Sequence, residues 1–305
     1  VLSARAAAVV GPAAALSAGP LLRRQARRDE AVVLLYHRVS AHDDPAYPPL
    51  RPAVFEAHLD LVCRHLDVVP LRTLVTLVAE GGDLTGKAAI TFDDGFRDFL
   101  DVAYPILRQR RVPVTHYLVA DSVAEGRPNW NYRANVLALA GARDTALDPV
   151  RLGELHAAER TELLDGLEAA HRVPTPDDLM LRPDDLAACD EELVDWQSHG
   201  MTHALASQLA PGDLEHELCA SRDRIAGWTG RPVHSFSYPN GDVDDAARAA
   251  VAATGYESAV AVGERRVEPG APVTALPRFD VGRYAATWVP LALSGLLERA
   301  RRLRR

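Results

Sequence analysis

The chain predicts a (β/α) barrel, distorted or incomplete, of about seven strands with a helical insertion. Three observations lead there. Short apolar runs rich in β-branched residues alternate with stretches of helical periodicity along most of the 305 residues, the pattern of parallel strands joined by helices. The unusual polar residues His37, Asp93, Asp94, His199, His203, Asn240 and Arg278 all fall at the C-terminal end of a predicted strand, where a barrel opens into its active face. No Gly-x-Gly-x-x-Gly follows any of these strands, so an open dinucleotide-binding sheet has no support.

Taken in order, residues 31–36 (Ala-Val-Val-Leu-Leu-Tyr) are apolar throughout and read as a strand buried on both faces, with His37 at its end. In residues 52–66, Phe55, Leu59, Val62 and Leu66 recur at helical spacing; 67–70 form a short strand, and 71–80 a second helix closed by Gly81-Gly82. Residues 88–92 are the next strand and 96–110 the helix that answers it, with Phe99, Val102, Ile106 and Leu107 along one side. Residues 112–120 are again a strand, and His116 in its middle reads as core or wall rather than ligand. The stretch 121–190 breaks the rhythm: an aromatic patch at Trp130-Asn131-Tyr132 and helices around 136–139 and 151–171 read as an insertion over one face. The alternation resumes with strand 193–196, the segment Ser198-His199-Gly200-Met201-Thr202-His203, and an amphipathic helix over 214–228 stopped by Gly230. Strand 235–238 then runs into Pro239-Asn240-Gly241, a turn by its residue types, before helix 243–254, strand 257–262 and a last strand 276–281. The domain organisation is thus an N-terminal helix or tail over 1–30, a barrel over 31–285 with its insertion at about 121–190, and a basic amphipathic helix over 286–305.

A formal charge of −8 argues against nucleic acid as a partner, since phosphate binding needs clustered Lys and Arg. A neutral or cationic substrate suits the chain better. Cys63, Cys189 and Cys219 are scattered and lack Cys-x-x-Cys spacing, which excludes a disulfide framework and a zinc ribbon. Residues 6–22 carry no charge, but Ala, Gly and Pro dominate them. Small residues insert weakly, so a surface helix or tail is favoured there over a signal peptide or anchor, and a cytoplasmic or membrane-associated chain over a secreted one.

Asp93 and Asp94 adjoin where a buried strand stops. Two carboxylates this close repel, and burial raises both pKa values, so the pair calls for a cation or a shared proton unless it lies in an ordinary solvated loop. His199 and His203 stand four apart, the spacing that on a helical turn puts both imidazoles on one face. Alone, His-x-x-x-His is weak. With a strand-end carboxylate it offers two neutral nitrogens and one oxygen to one divalent ion, with positions left open for water and substrate; zinc suits this set, and cobalt, nickel or iron fit nearly as well.

Thr91-Phe92-Asp93-Asp94-Gly95, Ser198-His199-Gly200-Met201-Thr202-His203 and Phe236-Ser237-Tyr238-Pro239-Asn240-Gly241, in that order, resemble the first three motifs of the polysaccharide deacetylases, carbohydrate esterase family 4. Leu34-Leu35-Tyr36-His37-Arg38-Val39 further resembles the branch that includes the poly-N-acetylglucosamine deacetylases. The resemblance implies removal of N-acetyl groups from a sugar in a glycan or glycoconjugate. Asp94, His199 and His203 would hold the metal, Asp93 would be the general base, and the Asn240 backbone N–H would meet the oxyanion. Tyr238 would flank the sugar, or else pack on the core. Where many members carry an Arg that orients the base, this chain has Ser237, and Arg278 is the implied substitute unless it pairs with Asp280. No His follows His234, so the general acid falls to His37 unless that residue is a buried structural His. Hydrolysis of another C–N bond, an imide or formamide, and a glycan-binding barrel without catalysis are the alternatives.

Overall fold

The computed structural model describes residues 27–174, 178–282 and Val289. The apolar stretch 6–22 lies outside them, as does the expected C-terminal helix apart from Val289. Strands β1 (Val32–Tyr36), β2 (Asp67–Val68), β3 (Lys87–Phe92), β4 (Val114–Leu118), β5 (Val194–Ser198), β6 (Ser235–Ser237), β7 (Ser258–Val262) and β8 (Leu276–Asp280) form one parallel sheet. It closes because β1 pairs with β3 on one side and β8 on the other, with Leu34 opposite Ile90 and Phe279. The result is a barrel of seven parallel strands, to which β2 adds a short eighth along the start of β3.

Alternation along the strands explains the two layers of core. Val32, Leu34 and Tyr36 of β1, with Ala88, Ile90 and Phe92 of β3, pack in the large cluster that takes Phe55, Leu59 and Val62 from helix α1 (Pro52–His65). The intervening Val33 and Ala89 cluster instead with Tyr117, Val260 and Leu276, joined by Leu71, Leu74 and Val78 of α2 (Leu71–Glu80). Farther along the strands, towards their C-terminal ends, buried polar groups such as Thr91, Asp93 and Arg278 take the place of apolar ones.

Two expected helices differ from their reading. Instead of one α-helix over 96–110, the chain forms a π-helical turn at Phe99–Ala103 and then α3 (Tyr104–Arg110). Pro105 cannot donate to the carbonyl four residues back, and the widened turn takes up the defect. The stretch 151–171 breaks into α6 (Pro149–Glu154) and α7 (Ala157–His171), with extended backbone at Leu155. There the Arg160 guanidinium donates to the Leu152 and Leu155 carbonyls, both at 3.3 Å, supplying partners that a continuous helix would have provided.

Between β4 and β5 lie α4 (Ala120–Glu125), α5 (Trp130–Leu139), α6 and α7. α5, α6 and α7 share a core of Trp130, Leu137, Leu152 and Leu164 that is separate from that of the barrel, whereas Ala120 and Val123 of α4 pack in the barrel's own cluster. The alternation is completed by α8 (Pro211–Thr229) and α9 (Asp245–Ala253). Among the described residues no helix is long and apolar enough to cross a membrane.

Candidate active site

β3 delivers the carboxylate pair. The Asp93 N–H still donates to the Tyr36 carbonyl at 3.0 Å, and Asp94 and Gly95 then turn the chain with φ of 76° and 84°. A Cβ on Gly95 would meet Val123 and Leu118 at 3.1 and 3.2 Å, so the turn needs glycine for space as well as for conformation.

β5 delivers the imidazoles, though not from a helix. His199 continues the strand, its N–H donating to the Leu118 carbonyl at 2.8 Å, and the chain then loops through Gly200 (φ 85°) to His203 (φ 62°). Glu217 of α8 holds this loop by accepting from the Met201 and Thr202 N–H groups at 2.7 and 3.1 Å. The four-residue spacing therefore works through a carboxylate-braced loop, with ring centroids 4.8 Å apart, and the helical-turn expectation is corrected.

Asp94, His199 and His203 are all buried, and each offers a ligand atom within 4.8 Å of the other two. Asp94 Oδ1 lies 3.7 Å from His199 Nε2 and 3.4 Å from His203 Nε2. Ligands at about 2.1 Å around a tetrahedral ion stand roughly 3.4 Å apart, so the donor set fits a divalent ion such as zinc. The protonation pattern suits one as well. His199 Nδ1 is 2.7 Å from the Ser237 carbonyl, which fixes its proton there and leaves Nε2 free to ligate. Burial pushes His203 well below the usual imidazole range, so it is neutral. Burial raises the Asp94 carboxyl, with adjacent Asp93 adding to the shift; a cation would offset that cost.

Asp93 has a different partner. Arg278, fully buried, donates from both terminal nitrogens to its two oxygens at 2.8 and 2.7 Å, and also to Thr91 Oγ1 at 3.1 Å and Ser237 Oγ at 2.8 Å. Ser237 Oγ in turn donates to Asp93 Oδ2 at 3.1 Å. Burial alone would raise the Asp93 carboxyl, but the Arg278 charge outweighs it and holds the group well below the carboxylate range. The alternative pairing of Arg278 with Asp280 gives way to this bidentate clamp on Asp93.

His37, Asp93, Asp94, His199, His203, Asn240 and Arg278 all line one cavity of roughly 660 Å³, closed on the other side by Asn129, Trp130, Asn131, Tyr132 and Asn135 of the insertion. The His37 ring meets Tyr47 edge-on at 5.5 Å. Asn240 is exposed at the rim with φ 57°. Tyr238 also borders the cavity, but its side chain is fully buried, packed edge-on against Phe236 at 5.3 Å, and its hydroxyl donates to the Thr274 carbonyl at 3.0 Å. Of the two readings of Tyr238, its burial and its committed hydroxyl favour core packing. His116 is wholly buried between Phe92, Phe99 and Trp196 and is not one of the three residues of the ligand set.

Sequence reading missed Asn129 and Asn131. The first insertion helix, expected around 136–139, starts instead at Trp130 with Asn129 as its N-cap. The dipeptide Pro128-Asn129 ahead of a helix-forming run was the available signal.

A family model for polysaccharide deacetylase matches residues 82–259, more than half of the chain. The chain belongs to the polysaccharide deacetylase family. No curated protein sequence matches it. Among solved structures, the polysaccharide deacetylase barrel seen here resembles IcaB from Ammonifex degensii (18% identity, TM-score 0.63, covering 88% of this chain and 98% of that one). It also resembles the Streptococcus pyogenes deacetylase PplD in complex with acetate (16%, 0.62, 88% and 97%). A third likeness is to the polysaccharide deacetylase BC0361 from Bacillus cereus (17%, 0.60, 87% and 69%). At these identities the structural likeness speaks to the fold, which is that of a deacetylase barrel.

Proposed function

We propose that this polysaccharide deacetylase is a metal-dependent hydrolase that removes N-acetyl groups from an N-acetylated sugar in a glycan or glycoconjugate. The observation that carries the reading is the division of labour between neighbouring carboxylates: Asp93 is clamped by Arg278, whereas Asp94 faces two imidazole nitrogens. Asp94, His199 and His203 would hold the ion. When bound, a divalent ion there supplies Lewis-acid polarisation of a carbonyl and acidifies a water molecule.

Asp93 is the general base. Arg278 keeps it ionised and fixes its two oxygens, at the expense of basicity. Water attacks the acetamide carbonyl carbon and its proton passes to Asp93; the Asn240 backbone N–H donates to the oxyanion. As the C–N bond breaks, His37 protonates the leaving nitrogen, so that a free amine and acetate result. His37 lines the same cavity as Asp93, which supports that role and, with Tyr36 before it, a place in the branch that includes the poly-N-acetylglucosamine deacetylases. An ionised, oriented base beside the ligand set is of no use to a glycan-binding module, so catalysis is the favoured reading. Acetate release from N-acetylated oligosaccharides by the wild type and by Asp93→Asn tests it: release by the first and its loss in the second are expected.

A further inference from the structure

Three consecutive residues at the start of α5 each reach a different part of the mouth. Asn129, itself buried, accepts at Oδ1 from the N–H groups of Asn131 and Tyr132 at 3.1 and 3.3 Å, and so caps the helix. Its Nδ2, at the other end of the same amide, donates to Asp94 Oδ1 at 3.0 Å. Trp130 Nε1 donates to the His203 carbonyl at 2.8 Å, and its ring lies 5.1 Å from the buried Arg160 guanidinium. Asn131 Nδ2 donates to Asn240 Oδ1 at 3.0 Å and lies 3.4 Å from His203 Nδ1. One helix start thereby ties together the loops that follow β3, β5 and β6.

The contrast between the two carboxylates gives this contact its meaning. A guanidinium on Asp93 satisfies its charge and leaves little for an ion. An amide on Asp94 is neutral: it fixes the rotation of the carboxylate without cancelling its charge. The oxygen that Asn129 holds is the one facing both His199 and His203.

We propose that Asn129 is a positioning residue of the ion site, keeping Asp94 Oδ1 aimed at the two imidazoles, and that the helical insertion supports the metal centre through it. The inference rests on the reading of Asp94, His199 and His203 as the ligands. The competing role for Asn129 is that of a helix cap alone. Asn129→Ser separates the two, because serine caps a helix about as well as asparagine but is too short to donate to Asp94.

The experiment is Zn²⁺ competition between the full chain and a chromophoric chelator, with the melting temperature of the ion-free protein and the ligand-field spectrum of the Co²⁺ form recorded alongside. Asn129→Ser should bind Zn²⁺ about 10–100-fold more weakly, with an altered Co²⁺ spectrum, while the ion-free protein melts as the wild type does. Should serine not fold, Asn129→Thr, also a capping residue, carries the same test. Equal Zn²⁺ affinity and an unchanged Co²⁺ spectrum in the variant would overturn the inference and leave the ligand assignment standing. A wild type that binds no Zn²⁺ would overturn the ligand assignment itself, and the inference with it.

Discussion

Replacing Arg278 with methionine removes the guanidinium and keeps a side chain of similar length, and it isolates what the clamp does for Asp93. Arg278 makes four hydrogen bonds from a fully buried site, two of them to a carboxylate that is itself only 2% exposed. Deleting one partner of such a pair leaves an uncompensated buried charge and costs about 3–5 kcal/mol at neutral pH. The dependence on pH carries the sign. In the wild type the Asp93 carboxyl is held low, so its contribution to stability is present above the unfolded carboxylate pKa and is lost only as pH falls through the lower folded value. In Arg278→Met burial acts unopposed and raises that carboxyl, so the variant regains stability by taking up a proton as the solution is acidified. Urea unfolding of the ion-free proteins at pH 7.5 and near pH 4.5 should therefore show a gap between wild type and variant that narrows towards acid. A variant within 1 kcal/mol of wild type at pH 7.5, or a gap that widens as pH falls, would refute the reasoning.

Two further outcomes follow from neighbouring residues. His199→Ala removes a nitrogen that lies 3.7 Å from Asp94 Oδ1, and bound metal should drop from about one ion per chain to a small fraction by elemental analysis; full retention would remove His199 from the ligand set. Burial drives His116 down to about pKa 3, so the folded state keeps it neutral, and the stability this gives above the unfolded value is lost as pH falls from about 6.5 towards 3. At pH 4.5 the loss is on the order of 2–3 kcal/mol, and His116→Leu should remove it, so that the urea midpoint of the variant falls less steeply with acid than that of the wild type; parallel profiles would count against a neutral His116.

The barrel was legible because its strands are short, several of them rich in apolar and β-branched residues, and separated by helices, and because the strand-end polar residues stood out against them. Asp93, Asp94, His199 and His203 could be picked out individually on those grounds. What joins them was less visible. Arg278 pairs with a residue 185 positions away, and only closure of β8 onto β1 and of β1 onto β3 brings that about. The His199–His203 spacing pointed to a helical turn, yet Glu217 from a separate helix sets the loop, a tertiary contact that no local pattern encodes. Tyr238 looked like a rim aromatic because it ends a strand, and its burial follows from contacts with Phe236 and Thr274. Asn129 was hidden for a similar reason: its capping half could be read from neighbouring residues, while its bond to Asp94 depends on how the insertion folds back over the mouth.

The measurement closest to the central claim is acetate release by wild type and Asp93→Asn, each loaded with the same divalent ion and each assayed for metal content. Asparagine preserves shape and leaves Asp94, His199 and His203 in place, so the variant should keep about one ion per chain and release acetate at least about 100-fold more slowly, the contribution expected of a positioned base. Acetate release equal to wild type at equal metal content would contradict the assignment of Asp93 as the base that works beside the ion.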